Sequence, residues 1–339
     1  MQTSSPTVAI SNFIVSQTTI KYFIMKKIKI GQTNLEIAPF NLGGNVFGWT
    51  IDEQKSFEIL DAFVAAGYNF IDTADMYSYW IDGGTGGQSE AIIGKWMKAR
   101  GNREQLIIAT KVGGPTGEHG IDTSRKHILE TVEKSLERLQ TDYIDLYYLH
   151  YDDENTPVEE TLRTFDELVK SGKVKHIAVS NISAERLKES LEFSDKNNMA
   201  KYQALQPLYN LVERENYETN YAPIVKEHGL TVFPYSALAS GFLSGKYRSE
   251  ADFQKSPRGQ DAANYLNEKG LNILNALDQI AEKHHTVPAA VSLAWLSAQP
   301  SIGGPVASAT SANQLAEILS STSLTLDKAD LELLDKVSK

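Results

Sequence analysis

From about residue 36 onward the chain repeats one unit eight times, a short apolar run followed by a stretch of helical period. No other feature limits its fold as much. The runs read "PFNLGG", "YNFIDTA", "LIIATKV", "YIDLYYLH", "KHIAVSN", "YQALQPLY", "TVFPYSA" and "IGGPVASA". The stretches between them carry helix punctuation. "DEQKSFEILDAFVAAG" has acids in its first turn and Gly67 at its stop; "SAERLKESLEF" opens on a Ser N-cap with Glu185 close behind; "PVEETLRTFDELVKSGKV" runs from Pro157 to a Ser-Gly end. Strands that are apolar on both faces and alternate with helices must pair in parallel, through right-handed crossovers. Eight such units in roughly 300 residues suit a closed (β/α)8 TIM barrel. An open doubly wound sheet would carry a Gly-rich dinucleotide fingerprint after its first strand, and "GGNVFG" fails the G-x-G-x-x-G spacing.

Ahead of the first unit, "MKKIKIGQTNLEIAPF" reads as a β-hairpin around a Gly-Gln-Thr-Asn turn, placed to plug the N-terminal end of the barrel. Residues 1–24 are Ser/Thr-rich, have no charge before Lys21 and lack the basic start of a targeting signal. They are expected to form a poorly ordered N-terminal extension, and residues 25–339 a single barrel domain. The connection after the seventh strand, residues 238–266, is rich in Gly, Ser and Lys and too long for an ordinary loop, which marks it as functional. Charge is spread along the chain, 33 basic against 43 acidic residues for a net of −10, so there is no cationic footprint for nucleic acid. The absence of cysteine removes thiolate nucleophiles and zinc-thiolate sites together. No apolar run approaches the roughly 20 residues that a membrane helix needs. The expected setting is cytoplasmic, with neither a nucleic-acid nor a membrane partner.

Barrel active sites gather where strands end. The polar residues at those ends are Asn45 after the first strand, Asp72 and Tyr77 after the second, Lys111 in the third and His150 closing the fourth. Ser180 and Asn181 close the fifth, Gln206 the sixth, and Tyr235 and Ser236 the seventh. Taken singly each has an ordinary structural reading: a cap, a rim charge or a packed ring. One per successive strand, an acid, a phenol, an ammonium and an imidazole suit proton delivery to a carbonyl oxygen. A tyrosine near its reference pKa of about 10 is a sluggish acid unless a cation favours the phenolate. Lys111 is expected to provide that cation, Asp72 to hold it, and His150 to donate a hydrogen bond to the same oxygen. The hydride must then come from a cofactor. A metal-dependent hydrolase using Asp72, His150, Asp152 and Asp153 would want a His pair on the first strand, which "FNLGGNVFG" does not offer, so no metal is expected.

Over residues 26–339 the chain resembles the aldo-keto reductase superfamily, and within it the potassium-channel β-subunit-like branch. The resemblance rests on "NFIDTADMY", "IIATKVG", "DLYYLH", "IAVSN", "LQPLYN", "YSALASGFLSGKY" and "ASATSANQLAE", in order and at family-like spacing. It implies NADPH-dependent reduction of aldehydes and ketones by a tetrad of Asp72, Tyr77, Lys111 and His150, with Tyr77 the proton donor, and extra C-terminal helices on the barrel. It implies a nicotinamide carboxamide held by Ser180, Asn181 and Gln206 with Tyr235 stacked on the ring, and cofactor contacts from Gly44, Asn45 and Asp72. The seventh loop looks like a pyrophosphate clasp of Ser236, Leu238, Ser240, Gly241 and Lys246, with Arg258 at the phosphate end. Many members carry a Lys or Arg pair for the ribose 2′-phosphate. Here the matching stretch is Ser308, Ala309, Thr310 and Ser311, followed by Gln314 and Glu317. NADPH is the cofactor expected, with NADH use left open. A small-molecule carbonyl substrate would meet Tyr77, His150, Trp49 and Trp80, with Tyr79 beside them and the Gly-rich "WIDGGTGGQSE" closing over it. Asp75 has no role in the resemblance and reads as a solvated or capping residue. The alternative function is a cofactor-binding, redox-sensing regulatory module with little turnover.

Overall fold

The structure, a computed structural model, describes residues 27–116, 120–256 and 258–339; the N-terminal extension lies outside them. Strands β1 (Ile28–Lys29) and β2 (Glu36–Ile37) form an antiparallel hairpin. The eight strands expected from the sequence follow as β3 (Asn41–Gly43), β4 (Phe70–Asp72), β5 (Ile107–Val112), β6 (Ile144–Leu149), β7 (Val174–Ser180), β8 (Tyr202–Gln206), β9 (Thr231–Val232) and β10 (Val306–Ala307). All pair in parallel, in the order β10-β3-β4-β5-β6-β7-β8-β9. The Gly303 and Val306 amides donate to Val232 and Pro234 carbonyls, each at 2.9 Å, and so close the ring between β9 and β10. The chain is an α/β barrel.

Helices α1 (Glu53–Ala65), α2 (Gln88–Arg100), α3 (Arg125–Leu139), α4 (Val158–Lys170), α5 (Ala184–Asn197) and α6 (Ala222–His228) follow β3 to β8 in turn. The side chains of Asp52, Ser124 and Ser183 cap their helices by accepting from the third amide beyond them, Asp52 and Ser183 at starts the sequence marks. The seventh connection is not a bare loop. It folds into short helical turns at Ala239–Ser244 and Glu250–Lys255 and a one-turn α7 (Gly259–Ala262) before α8 (Glu268–Lys283) and α9 (Pro288–Ser297). Beyond β10 come α10 (Ala312–Leu319) and α11 (Lys328–Ser338). None of the described helices is long and apolar enough to cross a membrane.

Strand side chains alternate between two apolar layers, which is why the strands read as unbroken apolar runs. On β6, Leu146 and Tyr148 join the inner cluster while Tyr147 and Leu149 join the layer under the helices. Ile30, Leu35 and Ile37 of the hairpin belong to that same inner cluster, with Phe70, Ala109, Ala178, Ala204 and Phe233. The hairpin turn is tied to the entry ends of β8 and β9. Gly31 N–H donates to Thr231 Oγ1 at 2.7 Å and Gln32 N–H to Gln203 Oε1 at 2.9 Å. Gly31 has φ +50° and a Cβ there would lie 2.6 Å from the Gln203 carbonyl, so the turn requires glycine.

Candidate active site

At the opposite end of the strands Lys111 is the hub. Its ammonium, fully buried, donates to Asp72 Oδ1 at 2.5 Å, to the Thr73 carbonyl at 2.9 Å and to Tyr77 Oη at 2.8 Å. Register explains the meeting: Asp72 ends β4 beside Ala109, which places the Lys111 side chain one pleat further on, under the turn that carries Tyr77. The Tyr77 hydroxyl donates in turn to Asp72 Oδ1, at 3.3 Å. The His150 ring, at the end of β6, stands 6.1 Å from the Tyr77 ring, edge to face. Gln206 donates to the other Asp72 oxygen at 2.9 Å, a partner the sequence did not suggest.

Electrostatics corrects one expectation. Burial pushes the Tyr77 phenol well above its usual range, and the Asp72 carboxylate adds to the rise. Burial and the adjacent Asp72 carboxylate together outweigh the Lys111 ammonium. The phenol therefore rests protonated. Burial also pulls the Lys111 ammonium below its ordinary range, with Asp72 pulling the other way. His150 is held neutral, lowered first by burial and then by the Lys111 charge.

Tyr77 and His150 open onto a cleft of about 1070 Å³. Asn45, Ser180, Asn181, Gln206, Tyr235, Ser236, Leu238, Ser240, Gly241, Lys246, Arg258, Ser308, Thr310, Gln314 and Glu317 all line it. Gly44 and Asp72 do not: Gly43 forms the wall, while Gly44 lies beneath with its amide on the Asp72 carbonyl at 2.7 Å. Strand alternation turns Gly43 inward and its neighbour away, and Asp72 is covered by Lys111 and Gln206. The donors suit a long ligand that is anionic along its middle. Ala239, Ser240 and Gly241 all have positive φ, 47°, 55° and 90°, a tight turn in which the Ala239 and Gly241 amides donate to the Ser236 and Leu238 carbonyls at 2.7 and 2.9 Å and which brings Ser240 and Gly241 to the cleft wall. Arg258 sits 5.8 Å above the Trp49 ring and burial lowers its pKa; among the described residues it has no ion-pair partner. A desolvated cation facing a cleft fits an anion. At the far end Ser308 donates to Asn45 Oδ1 at 2.5 Å and the Thr310 hydroxyl to Gln314 Oε1 at 2.9 Å, with the Glu317 carboxyl nearby in the lining.

Residues 39–339 match the model of the aldo/keto reductase family. The chain belongs to the aldo/keto reductase family. It is 32% identical to the protein tas of Escherichia coli, over 92% of this chain and 98% of that one. It is 33% identical to the aldo-keto reductase YhdN of Bacillus subtilis, over 90% and 91%. A probable voltage-gated potassium channel subunit beta of Arabidopsis thaliana is 30% identical, over 86% and 90%.

In this aldo/keto reductase the mouth of the cleft is aromatic. Trp49 meets Trp80 edge to face at 5.4 Å, and Trp80 meets Tyr79 at 5.5 Å and Tyr77 at 6.2 Å. Trp80 keeps 41% of its surface exposed. Thr50, Tyr151, Lys255 and Ala289 also line the cleft and were missed by sequence reasoning. Tyr151 had a signal, since it directly follows His150 at the strand end. Asp152 and Asp153 are occupied elsewhere, on Arg186 at 2.7 Å and on Thr156 at 2.7 Å. Asp75 is neither solvated nor a cap: it is 6% exposed, wedged behind β5. The turn after β4 faces it toward the α2–α3 layer.

Proposed function

We propose that this protein reduces small aldehydes and ketones to alcohols with NADPH as hydride source and Tyr77 as proton donor. The observation that carries the proposal is the Lys111 hub, which joins Asp72 to the only phenol of the set whose hydroxyl reaches both charges while its ring lines the cleft. Ser180, Asn181, Gln206 and Tyr235 would hold the nicotinamide end; Ser236, Leu238, Ser240, Gly241, Lys246 and Arg258 would hold the phosphates. Bound there, the reduced nicotinamide supplies a hydride to the carbonyl carbon. As the carbonyl π pair moves onto oxygen, that oxygen takes the Tyr77 proton. The Tyr77 O–H bond breaks, Lys111 stabilises the phenolate left behind, and a solvent proton restores it. The long 3.3 Å bond from Tyr77 to Asp72 is readily exchanged for one to substrate. Neutral His150 donates to the same carbonyl oxygen and orients it. Trp49 and Trp80 give the substrate end an apolar, aromatic wall.

The neutral Ser308, Thr310 and Gln314, with Glu317 beside them, offer a 2′-phosphate no charge-assisted contact and so weaken the preference for NADPH, and NADH use is expected as well. The proposal takes residues 25–339 as one domain, with the β1–β2 hairpin as its plug, working in the cytoplasm. A second reading, a redox-sensing regulator with little turnover, draws on the channel-subunit name of one relative. A panel of aldehydes and ketones, followed by nicotinamide absorbance with each cofactor, tests both. Multiple turnovers, faster with NADPH, are expected. Tight cofactor binding without turnover would favour the regulator and overturn the reductase.

A further inference from the structure

A second buried carboxyl stands directly behind the hub. Asp75 is three residues past Asp72, and its amide donates to the Lys111 carbonyl at 3.3 Å, so it is tied to the strand that carries the ammonium. Its carboxyl takes a backbone hydrogen bond from Met76, yet Oδ1 is buried with no partner, and so is the Tyr147 hydroxyl in the same layer. The charged and titratable groups that face it come from every neighbouring element: Glu90 of α2, Arg138 of α3, Lys111 of β5 and Tyr147 of β6. Arg138 is already committed, gripping Glu90 at 2.7 Å, while Thr110 donates to the other Glu90 oxygen at 2.5 Å. The glycine loop packs against the backbone here: at Gly86, φ +80°, a Cβ would lie 2.6 Å from the Asp75 backbone carbonyl. An ionised carboxylate here would keep one oxygen that receives no hydrogen bond in the structure, near a buried Glu90 whose own cation is already committed. The neutral acid fits the cavity better, with a proton to give on one oxygen.

We propose that Asp75 is a positioning residue for the reduction: its neutral carboxyl leaves the Lys111 charge directed at Tyr77, and ionisation of Asp75 draws that charge back and slows proton delivery. The inference rests on the function proposed above. Burial, with Glu90 second, pushes the Asp75 carboxyl up to about 8, so the change falls within the working range. Above it the new negative charge holds Lys111 more firmly protonated and opposes the phenolate that Tyr77 must become.

The test is the pH profile of kcat and kcat/KM for a reactive aldehyde at saturating NADPH, in wild type, Asp75→Asn and Asp75→Ala. Wild type is expected to lose about tenfold in rate between about pH 7 and about pH 9, and each variant less than about twofold over the same span. A purely structural role would lower all points of the profile together. Profiles that fall in parallel, or a wild-type profile flat to about pH 9, overturn the proposal while leaving Tyr77 as donor. Absence of turnover in wild type with either cofactor overturns the reductase function and this inference with it. Should neither Asp75 variant fold, Glu90→Gln serves: removing the second charge that crowds Asp75 moves the fall to lower pH, and an unmoved fall overturns the proposal.

Discussion

All three hydrogens of the Lys111 ammonium are committed, to Asp72, to Thr73 and to Tyr77, and this fixes what each neighbour can do. The His150 imidazole, buried and facing that ammonium, is kept neutral well below its usual range. The sign of its effect on stability follows. The unfolded chain takes up a proton at this position below about pH 6.5 and the folded chain does not, so the stability this group contributes is present above that pH and lost as pH falls below it. His150→Gln should flatten the acid side of the thermal-stability profile between about pH 6.5 and about pH 5, measured by differential scanning calorimetry against wild type. An unchanged slope would mean that His150 titrates normally. Asp72, Tyr77, Lys111 and His150 are legible in the sequence because each stands at or just beyond the exit end of a strand, where barrel topology must bring it to the rim. The direction of the Tyr77 shift is not legible. It is the difference between burial, one cation and one anion at nearly equal range, and spacing says nothing of which is larger. Asp75 is hidden for a related reason: past the end of a strand, sequence does not tell whether a turn faces water or the helical layer.

At the scale of elements, the seventh connection bridges the cleft. Arg258 at its far side rests over Trp49 of the first loop, and Trp49 abuts Trp80 of the second, so three loops meet across the site. Under the proposed function this arginine exchanges the ring face for a phosphate, a charge-assisted contact of about 1.5–3 kcal/mol. Arg258→Ala is therefore expected to raise the KM for NADPH by roughly tenfold to a hundredfold and to change kcat far less, since the contact is made equally before and during the reaction. Steady-state kinetics with varied cofactor checks this; an equal loss in kcat with no change in KM would place Arg258 elsewhere in the cycle. The length and Gly/Ser/Lys content of residues 238–266 announce a functional loop. Its fold into short helical turns was not visible, because segments of three to six residues hold too few apolar positions to set a period.

For the molecule as a whole, the barrel separates stability from chemistry along its axis. The hairpin meets the entry ends of β8 and β9 and packs Ile30, Leu35 and Ile37 against the inner cluster, while Asp72, Tyr77, Lys111 and His150 stand toward the other end. Ile37, fully buried, is the cleaner probe. Ile37→Ala should cost about 2–5 kcal/mol of unfolding free energy, read by denaturant titration, and leave the KM for cofactor within about twofold. A loss of cofactor binding at unchanged stability would contradict that separation. The central claim is the role of Tyr77, and its most direct measurement sets kcat for a reactive aldehyde beside the Kd of NADPH in Tyr77→Phe. Removing only the proton donor should lower kcat by about a hundredfold to ten-thousandfold and leave Kd within about threefold. Aldehyde reduction by Tyr77→Phe at close to the wild-type rate would contradict the account.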